Sequence, residues 1–204
     1  MNIQKTILSL LFVLALQPCI GQSTQVTENT TTYPKAEVSY NDFKELVLEV
    51  ESIRAERLIS LDRFLELQQD TNTIVLDTRS SEKYQGKHLK GAINLPFTEF
   101  TQATLSRLIP DTTTTILIYC NNNFTGDDLF FPTKSVSPER SGSRMFLAQR
   151  RPISLALNVP TYINLYGYGY RNIYELDELV DMIDPRLEFE GTNFLKAIVP
   201  VRKN

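Results

Sequence analysis

The chain has 204 residues, with 21 Lys and Arg against 24 Asp and Glu for a net charge of −3, and 42% of its residues are hydrophobic. The two signs of charge are interspersed, so neither nucleic acid nor an anionic membrane surface is expected as a partner. One His and two Cys are too few soft ligands for a zinc or copper centre, and the absence of any repeat, heptad or collagen period excludes solenoids, coiled coils and fibres.

At the amino end Lys5 precedes the apolar run Ile7 to Leu16, which is too short to cross a bilayer. The segment closes on Cys19-Ile20-Gly21, with small residues three before and one before a cut ahead of Gln22. This pattern predicts a signal peptide over 1–21 and export to a periplasm or the exterior. Pro18 stands where a lipoprotein cut before Cys19 needs a small residue, so no stable membrane anchor is expected. Residues 22–36, rich in Ser, Thr and Gln, read as a disordered tether.

Next comes a helical extension over 37–57, in which Asn41 or Asp42 caps a helix running to about Arg54 with Phe43, Leu46, Val47 and Val50 at helical spacing. Arg57-Leu58-Ile59 is a short strand, and Ser60 caps a helix carrying Phe64, Leu65 and Leu67. Thr73 to Leu76 is a buried strand ending at Asp77. Ala92 to Leu95 forms another, followed by a helix from about Thr98 to Leu108. The apolar strand Ile116 to Tyr119 runs into Cys120. A helix over about Ser154 to Tyr166 follows, its start moved or its axis kinked by Pro160, and then a strand over Asn172 to Glu175. This alternation predicts an α/β domain with a parallel sheet covered on both faces.

Without its leader the chain keeps one cysteine, Cys120, where an apolar strand meets Asn121-Asn122-Asn123. The carboxyl end of a parallel strand is where α/β proteins place ligand chemistry, so a thiol nucleophile is one reading. A small buried hydrophobe is the other.

Leu76-Asp77-Thr78-Arg79, Glu82 with Tyr84, His88 to Pro96, Ile116 to Cys120 and Gly167 to Leu176 stand in a fixed order and spacing. Together they resemble the successive signatures of the rhodanese-like domain family. The resemblance runs from about Leu58 to Met182, with an insertion over 125–152 and a C-terminal extension over 183–204. It implies a parallel five-stranded sheet flanked by helices on both faces, and no cofactor. In active members it implies a cysteine carrying a persulfide from a small sulfur donor, such as thiosulfate or a persulfide, to a thiol acceptor.

Such chemistry needs a stabilised thiolate, because the free thiol is a poor nucleophile. The catalytic candidate is Cys120, and the loop residues Asn121, Asn122, Asn123, Phe124 and Thr125 are the candidates for holding the donor. The arginine that usually closes this loop in the family is missing here. The insertion separates the loop from the following helix and so weakens any argument from that helix's dipole. It holds Asp127, Asp128, the apolar Leu129 to Pro132, then Lys134, Arg140, Arg144, Arg150 and Arg151. A later arginine folding back would supply the missing charge, and the segment is also a candidate surface for a protein partner.

Asp77 and Arg79 read as scaffold, and His88 as a turn-fixing residue rather than the partner of Cys120 in a dyad. Tyr162, Tyr166, Tyr168 and Tyr170 read as core and rim, and Gly167 and Gly169 as helix-ending glycines. Two functions remain open: an exported sulfurtransferase working through Cys120, or a catalytically silent rhodanese-like binding module of the cell envelope. A phosphatase reading is weaker, since the loop has neither a closing arginine nor an evident acid.

Overall fold

The computed structural model describes residues 32–136 and 153–192. The chain divides into two compact units, 1–38 and 39–204, and the described part of the first, residues 32–38, holds no helix or strand. The expected leader, most of the tether and residues 193–204 of the C-terminal extension lie outside the described residues.

The second unit opens with α1 (Tyr40–Ala55). It starts before Asn41 and Asp42 because Ser39 is the cap, its hydroxyl accepting from the Asp42 amide at 3.1 Å. Leu46, Val47, Val50 and Ile53 pack into the core, while Phe43 stays exposed. β1 (Leu58–Ile59), α2 (Leu61–Leu67) with Ser60 as cap, and β2 (Thr73–Asp77) follow as the sequence predicts.

Then come α3 (Ser81–Gly86), β3 (His88–Leu89) and β4 (Ile93–Asn94). The helix expected from Thr98 is broken in two. A 3-10 turn occupies Phe97–Glu99, and α4 (Gln102–Leu108) starts after Thr101, which forms a reciprocal capping box with Thr104.

β5 (Thr115–Tyr119) runs to Cys120, and a 3-10 turn over Asn121–Asn123 leads into β6 (Phe124–Thr125). β7 (Ser135–Val136) and β8 (Ile153–Ser154) are followed by α5 (Asn158–Gly167), β9 (Ile173–Leu176), β10 (Val180–Asp181) and β11 (Phe189–Glu190). α5 therefore begins after Ser154, which is a strand residue. Pro160 falls in its first turn, where a missing N–H breaks no intrahelical bond, so the proline moves the start.

The main sheet has the order β1-β9-β5-β2-β4, with every neighbouring pair parallel, and is the five-stranded α/β sheet that the sequence implies. Its central strand β5 is buried on both faces, which explains the unbroken apolar run. Ile116 and Ile118 pack with the apolar residues of α1, α4 and α5. Leu117 and Tyr119 pack on the other face with α2, Phe124, Phe131 and Phe189.

Among the described residues three two-residue ladders lie outside this sheet. β6 pairs with β10 in parallel, and β3 with β11 and β7 with β8 antiparallel. The described part of the C-terminal extension thus docks on the domain through β11. A Cβ at Gly191 (φ 134°) would lie 2.4 Å from the Gly86 carbonyl oxygen, so only glycine permits that approach.

Candidate functional site at the cysteine loop

β5 lies between β9 and β2, so the residue after it sits at the middle of the sheet's carboxyl edge. That residue, Cys120, is a free thiol only 2% exposed. Its Sγ accepts a hydrogen bond from the Asn122 amide at 3.4 Å. Burial pushes the thiol's pKa up, and the nearby Glu175 carboxylate adds to this. The amides of Asn122, Asn158 and Leu157 pull it back without overcoming burial, and the balance lies above the ordinary value.

Leu157 and Asn158 form the amino terminus of α5, which has no side-chain cap, so its leading amides are open to another acceptor. The separation that the insertion imposes in sequence is therefore closed in space, contrary to expectation. The short β7–β8 ladder brings the chain back, and the start of α5 meets the cysteine loop, where Asn158 Nδ2 donates to Asn123 Oδ1 at 3.0 Å.

The three asparagines differ in what they hold. Asn123 is buried and uses its whole amide: Oδ1 accepts from the Cys120 amide at 2.9 Å and from Asn158 Nδ2 at 3.0 Å, while Nδ2 donates to the Leu176 carbonyl at 2.6 Å and the Glu178 carbonyl at 3.2 Å. Asn122 Nδ2 donates to Ser135 Oγ at 2.9 Å and Ser154 Oγ at 3.2 Å, one on each strand of the β7–β8 ladder, and its Oδ1 accepts from the Lys134 amide at 2.8 Å. Asn121 is buried with its Oδ1 unpartnered. The Phe124 ring is in the core, edge-on to Tyr119, Phe131 and Phe189, and Thr125 is exposed on β6. Of the predicted donor-holding residues, Asn122 alone has its amide on the sulfur.

The described first part of the insertion is packed against the domain. Phe131 is buried and Phe130 lies against Gly86. Asp127 pairs with Lys87 at 3.0 Å, and Lys83 Nζ donates to the Leu129 carbonyl at 2.7 Å. Burial would raise the Asp127 carboxyl, but Lys87 and the amides of Phe130 and Leu129 hold it below its usual range. Lys134 is exposed. Arg140, Arg144, Arg150 and Arg151 lie outside the described residues, as does the expectation that one of them covers Cys120.

On the opposite face of the sheet Asp77, Arg79 and Tyr119 form a buried polar cluster. Arg79 also donates to the carbonyls of Phe130 and Lys87 at 3.0 and 2.8 Å. It thus ties the loop after β2 to the insertion. His88 stacks on Tyr84 with ring centroids 3.7 Å apart, and its Nδ1 lies 2.6 Å from the Tyr84 carbonyl oxygen. These contacts fix a turn. Sequence reading missed Asn158 and the start of α5, and the only available signal was the missing N–H of Pro160.

Part of the chain is similar to known proteins. Residues 60–132, which include Cys120, match the family model described as the rhodanese-like domain. Over 46 residues, 22% of this chain and 43% of the relative, the sequence is 39% identical to the thiosulfate sulfurtransferase PspE of Escherichia coli strain K12. The chain thus spans less than half the length of this curated relative. Among solved structures, a rhodanese with anions from E. coli is 19% identical with a TM-score of 0.34, covering 59% of this chain and 99% of that one. The BH2092 protein from Bacillus halodurans is 17% identical with a TM-score of 0.43, covering 72% and 85%. The stretch 60–132 thus carries a rhodanese-like domain.

Proposed function

We propose that the protein is a sulfurtransferase that moves sulfane sulfur through a persulfide on Cys120. The observation that supports this reading is the hydrogen bond from the Asn122 amide to the Cys120 sulfur, which favours its anionic form against burial, with the uncapped start of α5 acting in the same direction. In the first half-reaction the Cys120 thiolate attacks the outer sulfur of thiosulfate. A Cys–S–S bond forms, the donor's S–S bond breaks and sulfite leaves with the electron pair. In the second, an acceptor thiolate attacks the outer sulfur of the persulfide, and Cys120 departs as thiolate. The distant likeness to a thiosulfate sulfurtransferase agrees with a thiosulfate-type donor.

Because the thiol's pKa is raised, the resting site is mainly protonated at neutral pH, and the rate of the first step should climb with pH into the alkaline range. The test is intact mass after thiosulfate treatment, together with the pH dependence of Cys120 alkylation. A one-sulfur mass gain that disappears in Cys120→Ser supports the reading. No gain at any pH overturns it.

A second reading is favoured by the 2% exposure of Cys120 and the locking of its loop by Asn122: a catalytically silent module that binds a protein through the segment 125–152. It predicts a slow thiol, no persulfide, and loss of partner recovery when that segment is deleted. We further propose export by cleavage ahead of Gln22, checked by sequencing the amino terminus of the mature protein. Among the described residues no helix is long and apolar enough to cross a membrane.

A further inference from the structure

Glu175 is a buried carboxylate, 5% exposed, in the middle of β9. A buried charge of this kind persists only when it is paired. Its partner comes from another element. Arg54, in the last turn of α1, donates through Nε and Nη2 to the two carboxylate oxygens, each at 2.7 Å. The register across the sheet places Glu175 beside Ile118, and Cys120 follows two residues later on the same face of β5. The carboxylate therefore lies one step below the thiol along a buried face, where solvent screens charge poorly.

Of the other titratable groups around this pair, Arg57 and Tyr166 have their own partners and Tyr162 has none. Arg57 donates to the Tyr174 hydroxyl and lies over the Tyr174 ring, with 4.7 Å from Cζ to the centroid. Tyr166, on α5, donates to Glu49 at 2.9 Å and lies under Arg171. Tyr162 on α5 is buried beside Arg54, Arg57 and Glu175, with its hydroxyl unpartnered. Neutralisation of Glu175 thus falls to Arg54, whose helix precedes the stretch 60–132 that matches the family.

We infer that Arg54 is a positioning residue for the thiol chemistry: by pairing with Glu175 it offsets part of the negative charge that bears on Cys120. The helix that precedes the family domain then has an electrostatic role at the sulfur as well as a packing role. The inference deepens the persulfide reading and rests on it for its meaning, but its test does not depend on sulfur transfer.

The experiment is the pH profile of Cys120 alkylation in the wild type, Glu175→Gln and the double variant Arg54→Met/Glu175→Gln, with thermal unfolding followed in parallel. Glu175→Gln leaves the Arg54 cation facing the thiol uncompensated. It should lower the midpoint by about one unit, roughly a tenfold faster reaction at a pH below the midpoint. The double variant removes both charges, and its midpoint should rise from the Glu175→Gln value part of the way back toward that of the wild type, where Glu175 outweighs Arg54 at the sulfur. A merely structural role would alter unfolding without moving the midpoint down and back. An unmoved or raised midpoint in Glu175→Gln, or a double variant that stays at the Glu175→Gln midpoint, overturns the inference. A wild type that gains no sulfur but shows these shifts would sink the sulfurtransferase reading and leave this one standing.

Discussion

Asp77 and Arg79 are joined at 2.6 Å through Oδ2 and Nη2, both of them buried, and the Arg79 guanidinium lies 4.0 Å from the centroid of the Phe131 ring. The pair therefore binds together the end of β2, the turn before β3 and the first part of the insertion. Removing one partner leaves the other charged and buried. Asp77→Ala should lose about 3–5 kcal/mol in urea unfolding. Arg79→Met in the same chain should recover part of that loss, because the two residues act as a unit. Additive losses in the double variant would contradict the coupling.

The Tyr119 hydroxyl donates to Asp77 Oδ2 at 2.5 Å and accepts from the Leu89 amide at 3.2 Å. Burial first, then the Asp77 carboxylate, raise its pKa well above the ordinary value, and Arg79 only partly opposes them. A group raised in the folded state stabilises the fold fully below its unfolded pKa, and that contribution is lost as pH rises through the folded value. The stability of the wild type should thus fall above about pH 10. Tyr119→Phe should make this alkaline fall shallower. Tyr84, Tyr162, Tyr166, Tyr170 and Cys120 are shifted in the same direction, so the fall should shrink without vanishing. An unchanged slope between pH 9 and about 11 in the variant would refute the assignment to Tyr119.

The parts of this fold that were legible in the sequence are those whose local pattern and tertiary role coincide. β2 and β5 read as buried strands because each is buried on both faces for most of its length, and Cys120 follows from the second. The ladders β6–β10, β3–β11 and β7–β8 were not legible, since two residues show no alternation. The contact between Arg54 and Glu175 spans 121 positions and has no local signature. The start of α5 was placed too early because Ser154, where the helix was expected to begin, is the last residue of β8. That misplacement also hid the approach of the Leu157 and Asn158 amides to the sulfur.

Asn123 is the residue on which the loop's shape depends most directly. Its one side chain serves two donors and two acceptors, drawn from Cys120, α5 and the strand end after β9. Asn123→Asp keeps the shape but can no longer donate to the Leu176 and Glu178 carbonyls, and it brings a negative charge against them. It should be at least as destabilising as Asn123→Ala, for which a loss of about 3 kcal/mol is expected from the groups left unpaired. Chemical denaturation of the two variants checks the order. An Asp variant as stable as wild type would mean that the two carbonyl contacts contribute nothing.

Asn122 couples the insertion to the sulfur, because its backbone amide donates to Cys120 Sγ while its side-chain amide bridges Ser135 and Ser154 across the β7–β8 ladder. Replacing both serines with alanine removes the bridge and leaves the backbone amide and the thiol in place. The loop should then open more often. With about 1 kcal/mol of net hydrogen bonding lost, alkylation of Cys120 at fixed pH should quicken roughly fivefold. The midpoint of the pH profile should stay nearly constant, since no charge is added or removed near the sulfur. A shift of the midpoint without a change in limiting rate would mean that the bridge acts on the thiol's ionisation. An unchanged rate would mean that the ladder does not control access at all.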